Sequence, residues 1–176
     1  YPYADLIETN RRRGRQGLEY ELLDTGIFDE DRYFDVCVEY AKAGPLDLLV
    51  KISVSNRGPD AAEIHLLPTL WFRNTWSWAG GGDKPILQAA EHAGASVIQA
   101  RHTDPLFLES LPDAYLYCEG AASLLFTENE TNNARLFGTP NASPYVKDGI
   151  NNFVVQGETD AVNPAQTGTK AAPHYR

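Results

Sequence analysis

The chain has 176 residues, 43% of them apolar and 22% charged, an ordinary globular mix that excludes wholesale disorder and is long enough to bury a core as one domain. Lys and Arg number 15 against 24 Asp and Glu, a net charge of −9, and that field repels phosphate backbones and anionic bilayers, so nucleic acid and membrane surfaces are excluded as partners. No apolar run approaches the roughly 18 residues that a membrane-spanning helix needs.

The chain opens Tyr1-Pro2-Tyr3 and contains no Met. With no charged-then-apolar leader ahead of that start, the expectation is a section of a longer, cytoplasmic protein. Tyr3 to Arg13 reads as a short helix that runs into a basic knot, Arg11-Arg12-Arg13-Gly14-Arg15, expected to pair with acids such as Glu19 and Glu21. Asp29-Glu30-Asp31 reads as a solvated turn. From Tyr33 to Ala41 the even positions Phe34, Val36, Val38 and Tyr40 are apolar, and the same parity resumes after Gly44-Pro45 with Leu46, Leu48, Val50, Ile52 and Val54. Period two with one polar face predicts an antiparallel hairpin half-buried against a core.

A turn at Asn56-Arg57-Gly58-Pro59-Asp60 leads to a third strand through Ile64, Leu66, Leu70 and Phe72. Pro68 lacks the N–H that a ladder needs, which puts this strand at an edge or bulge. Gly80-Gly81-Gly82-Asp83 reads as a flexible break inside the domain. Further strands are expected at Ser96 to Ala100, Ala114 to Cys118, Ser123 to Thr127 and Lys170 to Tyr175, and loops with a helical turn at Thr131 to Phe137 and Val146 to Phe153. The pattern predicts a mostly β, antiparallel fold in which the first three strands form a meander, the raw material of a sandwich.

All three tryptophans fall in Trp71-Phe72-Arg73-Asn74-Thr75-Trp76-Ser77-Trp78. Indole faces flanked by Asn74 and Arg73 suit sugar recognition, because a pyranose C–H face stacks on indole while amide and guanidinium bind hydroxyls. Packing under a neighbouring domain explains the same cluster. Glu128-Asn129-Glu130 is an acidic candidate, but glycosidic cleavage needs one protonated and one ionised carboxyl converging across the bond, and consecutive strand residues diverge. Tyr145-Val146-Lys147-Asp148 belongs to a polar loop of the kind that runs over a shared face. Cys37 and Cys118 form no CxxC; spacing alone does not show a disulfide, and two buried free thiols are the expectation. His65, on the polar face of its strand, reads as a surface residue. No metal set, cofactor motif or catalytic constellation is present in the sequence.

Four stretches, Tyr20 to Val36, Leu67 to Trp78, Leu125 to Asn132 and Ser143 to Asn152, resemble the N-terminal region of bacterial glucosidase-like proteins related to glycoside hydrolase family 63, the mannosyl-oligosaccharide glucosidase family. The likeness runs over nearly the whole chain. It implies that residues 1–176 are one N-terminal domain, a β-sandwich of the super-β-sandwich type with a few short helices, cut from a larger enzyme of carbohydrate metabolism. In that family the catalytic acid and base lie in a C-terminal (α/α)6 barrel, for which this chain has no room, so no catalytic residue is carried over. The implied partners are that barrel and an oligosaccharide, with no cofactor. Trp71, Arg73, Asn74, Trp76, Trp78, Glu128, Asn129, Glu130, Tyr145, Lys147 and Asp148 are the residues expected to dock on the barrel or border its sugar site. If the sandwich is incomplete, its open strand edges are expected to pair between copies. An independent carbohydrate-binding module with the tryptophans as its platform, or a structural, oligomerising domain, are the alternatives.

Overall fold

A computed structural model describes residues 1–78, 81–102, 113–120 and 123–176. The chain divides into two compact units, Tyr1–Glu63 and Ile64–Arg176. The first begins with α1 (Tyr3–Arg13), which has Asp5 in its first turn and Arg11, Arg12 and Arg13 in its last, a charge order that complements the helix dipole. The following segment folds back onto this helix. Asn10 brackets Tyr20, its amide donating to the Tyr20 carbonyl and its oxygen accepting the Tyr20 N–H, both at 2.8 Å. The expected pairing of the arginines with Glu19 and Glu21 does not form. Arg13 instead lies 4.9 Å over the Tyr20 ring and donates to the Leu18 carbonyl, since the aromatic face is the partner that the fold-back presents.

Strands β1 (Phe34–Gly44) and β2 (Asp47–Asn56) form the expected antiparallel hairpin. Its register sets Val36 opposite Val54, Val38 opposite Ile52 and Tyr40 opposite Val50 on one face, and Glu39 opposite Lys51 on the other. The expected half-burial is a different matter. Val36, Val38, Tyr40, Leu48 and Val50 are exposed, and only Phe34, Gly44 and Ile52 to Val54 are half-buried. The two strands form a sheet of their own, and a two-stranded sheet has no second layer of its own to cover an apolar face. Cys37, on the charged face, is exposed rather than buried, and both Cys37 and Cys118 are free thiols.

The second unit is built from two antiparallel sheets. One has the order β3 (Leu70–Trp71), β9 (Lys170–His174), β7 (Ser123–Thr127). The other has the order β6 (Ala114–Cys118), β5 (Ala95–Arg101), β4 (Ile86–His92), β8 (Thr167–Gly168). The β4–β5 hairpin turns through Ala93 and Gly94, both with positive φ (50° and 80°), the twist that suits a tight two-residue connection. Leu87, Ile98 and Ala100 of the four-stranded sheet and Phe126 and Ala171 of the three-stranded sheet make one buried cluster. The opposite side of the three-stranded sheet, through Leu125 and Ala172, packs with Ile150, Phe153 and Val154 of a helix, α3 (Gly149–Gln156). A shorter helix, α2 (Asn133–Phe137), is capped by the Asn132 side chain. The fold is thus mostly β and antiparallel with few short helices, as the periodicity predicts.

Three sequence expectations change here. The third strand shrinks to Leu70–Trp71 plus an isolated bridge between Leu66 and Tyr175, because Pro68 cannot donate between them. It pairs with β9 and not with the hairpin, so the three-strand meander is not formed. His65 is half-buried, with its Nδ1 2.7 Å from His174 Nε2 and the two rings stacked. Of the expected glycine-rich break, Gly80 lies outside the described residues. Gly81 is held, its N–H donating to the Trp78 carbonyl at 2.8 Å, and a Cβ there would collide with the Thr75 carbonyl oxygen.

Candidate functional site

One end of the second unit gathers the loops after β3, before β4, after β7 and before α3. Their positions follow from the strands that launch them. Thr169, between β8 and β9, is buried; its N–H donates to the Thr127 carbonyl and its own carbonyl accepts the Phe72 N–H, at 3.1 and 3.0 Å. Its hydroxyl accepts the Asn129 N–H and donates to Glu128 Oε2, both at 2.8 Å. Asn129 Nδ2 donates to the Phe72 carbonyl at 2.8 Å. The Glu128 N–H reaches the Tyr145 carbonyl and the Lys147 N–H reaches the Glu130 carbonyl, at 2.8 and 3.0 Å. The 128–130 loop is therefore laced to the 145–147 segment by backbone–backbone bonds and to the 72 and 169 segments by bonds that involve the Asn129, Thr169 and Glu128 side chains.

Side chains complete the cluster. Trp76 Nε1 donates to Glu130 Oε1 at 2.9 Å. The Lys84 ammonium sits between two carboxylates, 2.9 Å from Glu130 Oε1 and 3.0 Å from Glu128 Oε1, and lies 6.0 Å from the centre of the Trp76 ring. Burial opposes ionisation of Glu130, but the hydrogen bonds from Lys84 and Trp76 and the lysine's charge outweigh it and hold the carboxyl below its usual range. Burial likewise opposes the charge on Lys84, and the two glutamates outweigh it and raise its affinity for the proton. Glu130 is thus ionised at neutral pH and unsuited to act as a general acid.

A second group lies beside it. Asp148 accepts from Asn132 Nδ2 at 3.2 and 3.1 Å and from Arg135 at 3.2 Å, which ties the two helices together. Lys170 donates to the Lys147 carbonyl at 2.7 Å. Burial, with a lesser contribution from the Lys147 charge, lowers its proton affinity against the pull of Asp148.

The expected residues therefore sort by role. Trp76, Glu128, Asn129, Glu130, Tyr145 and Lys147 come together in one hydrogen-bonded cluster, with Asp148 next to it. Asn74 serves its own turn, accepting the Ser77 N–H at 3.2 Å. Trp71 and Trp78 stay 56% and 57% exposed, and the Arg73 guanidinium covers the Trp78 ring at 5.3 Å. Sequence reasoning missed Lys84, Thr169, Lys170, Asn132 and Arg135. Lys84 closes the glycine-rich run and was legible only as the first cation after it. Among the described residues, no group of three or more His, Cys, Asp and Glu side chains is arranged to hold a metal ion, and no helix is long and apolar enough to cross a membrane.

Over 202 aligned positions the chain is 34% identical to the uncharacterized protein YMR196W of Saccharomyces cerevisiae, an alignment that takes in 99% of this chain and 18% of that protein. The chain thus spans less than a fifth of the length of the curated relative it matches. No family model and no solved structure matches it.

Proposed function

We propose that this chain is the accessory β-sandwich of a larger glycoside hydrolase of α-glucosidase type, which packs on a separate (α/α)6 catalytic barrel of the same parent chain and borders its sugar site. The observation that supports this reading best is the contrast within the tryptophan cluster: Trp76 is consumed by Glu130, whereas Trp71 of β3 and Trp78 of the loop that follows it are more than half exposed. Exposed aromatics on a rigid platform are what an interface or a sugar subsite uses as anchors. The ionised Glu130, neutralised by Lys84, suits a scaffold and not acid–base chemistry. The resemblance to family 63 supplies the identity of the barrel and the linkage class. The free thiols of Cys37 and Cys118 favour a reducing, cytoplasmic setting.

The test compares the isolated chain with the intact parent protein. The isolated chain is expected to hydrolyse no α-linked glucoside, and Trp71→Ala with Trp78→Ala in the intact protein to lower kcat/KM about tenfold, the loss of one good anchor contact. Robust turnover by residues 1–176 alone, or full activity of the double variant, would sink the reading. The Arg73–Trp78 stack gives a second reading some support, an independent carbohydrate-binding module with these indoles as its platform. Quenching or a shift of Trp fluorescence on titrating maltose-type sugars into the isolated chain separates it from a domain that only docks.

A further inference from the structure

The four-stranded sheet has a second face, turned away from the cluster that Leu87, Ile98 and Ala100 form with Phe126. Register places on it Gln88 and His92 of β4, Gln99 and Arg101 of β5, and Tyr115 and Tyr117 of β6, together with Val97, which is buried between Ala90 and Tyr117. The side chains form a directed row across the strands. Arg101 Nη2 donates to Gln88 Oε1 at 3.3 Å, Gln88 Nε2 donates to Gln99 Oε1 at 2.8 Å, and Gln99 Nε2 donates to Asp113 Oδ2 at 2.9 Å and lies 3.3 Å from the Tyr115 hydroxyl. Every donor points the same way, so each amide is polarised by the one before it and held in a single orientation. Beside this row the Tyr115 and Tyr117 rings stand 6.4 Å apart and tilted by 36°, and His92 meets Tyr117 edge-on at 5.8 Å. Both tyrosines are about half exposed, at 49% and 56%.

We infer that this face binds a neutral polyhydroxylated chain, an oligo- or polysaccharide laid along β6. The two tyrosine rings offer adjacent π faces, whose negative quadrupole attracts the weakly positive C–H faces of successive sugar rings. A hydroxyl is both donor and acceptor, and the fixed amides with the remaining guanidinium N–H and carboxylate oxygen supply both roles. Charge selects the same class: Arg101 and Asp113 cancel on the face, and the chain's net charge of −9 opposes an anionic ligand. A protein partner of comparable size asks for a dry apolar centre, whereas here the aliphatic Val97 is already buried and hydrogen-bonded glutamines of β4 and β5 run beside the aromatics. The inference is independent of the reading given to the loop cluster. None of that cluster's residues belongs to this face, and none of the three tryptophans lies in β4, β5 or β6.

Native electrophoresis of residues 1–176 through gels containing glycogen, soluble starch or laminarin tests it. At least one polysaccharide is expected to retard the protein, and Tyr117→Val and Gln99→Ala each to weaken the retardation at least fivefold. Tyr115→Phe, which keeps the ring, is expected to retain it, as is Trp78→Ala. Valine is chosen at 117 because it keeps the strand preference while removing the ring, and an unchanged melting curve verifies each fold. Absence of retardation by all three polymers overturns the inference, as does retardation that survives Tyr117→Val together with Tyr115→Val. Retardation lost in Trp78→Ala but kept in Tyr117→Val would move the sugar to the loop cluster, ending this proposal while leaving the earlier one intact.

Discussion

At the scale of single residues, Lys84 stands between Glu128 and Glu130 at 3.0 and 2.9 Å, with the two glutamates largely out of solvent. Its removal leaves two carboxylates facing each other with one counter-charge gone, so the consequence depends on pH. Glu130 is depressed in the folded state, so its contribution is present above its unfolded value and is lost as the pH falls through the folded one. Lys84 is raised, so its contribution is complete below its unfolded value and lost only as the solution becomes strongly alkaline. Lys84→Met is therefore expected to cost about 1–2 kcal/mol at neutral pH, and the deficit to narrow as the carboxylates protonate. Urea unfolding of both proteins at neutral and at acid pH checks this; a deficit unchanged by pH would reduce the lysine to a packing element. Little of this was legible in the sequence. The tryptophans and both glutamates stood out by type, but Lys84 is 44 and 46 positions from its partners and shares no spacing rule with them.

Elements show a sharper division. The β1–β2 hairpin was legible because period two is local, set by which way successive side chains point. Whether its apolar row is covered is a tertiary property that no local pattern contains. Val36→Thr with Val38→Thr and Val50→Thr keeps the β-branched shape and is expected to shift stability by less than about 0.5 kcal/mol per site. The same triple variant should cut the fluorescence of a bound apolar dye, which checks the exposed row directly; a loss beyond about 2 kcal/mol per site would mean the row is buried after all. Strand β4 is not legible in the sequence for a local reason: Ala89 and Ala90 blur its alternation, and the turn at Ala93-Gly94 lacks the usual Asn or Asp. Where the sequence predicts a loop with a helical turn, α3 forms: Asn151 and Asn152 are poor helix formers, and packing of Ile150, Phe153 and Val154 overrides that preference.

Across the whole molecule the two units differ in kind. All buried core side chains lie beyond Ile64, and no residue of 1–63 is fully buried. Cooperative unfolding depends on such a core. Residues 64–176 expressed alone are expected to melt in one sharp transition that overlays that of the same unit in the intact chain, whereas 1–63 alone is expected to show only a broad, shallow change. Calorimetry on both pieces checks this, and a sharp transition from 1–63 would overturn it. This asymmetry was not legible in the sequence either, since apolar residues are spread through both parts and only the register sorts them into covered and uncovered rows.

The order β3, β9, β7 in the three-stranded sheet has a consequence for synthesis. The central strand, Lys170–His174, follows both of its neighbours in sequence, and β3 and β7 bond to it and not to each other. On a ribosome adding about 5–20 residues per second, Leu70 and Trp71 wait several seconds for a partner, and Leu125 and Phe126 wait more briefly. Vectorial folding of this sheet thus runs backwards from β9: the nascent chain holds two unpaired strands until residues 170–174 emerge and slot between them.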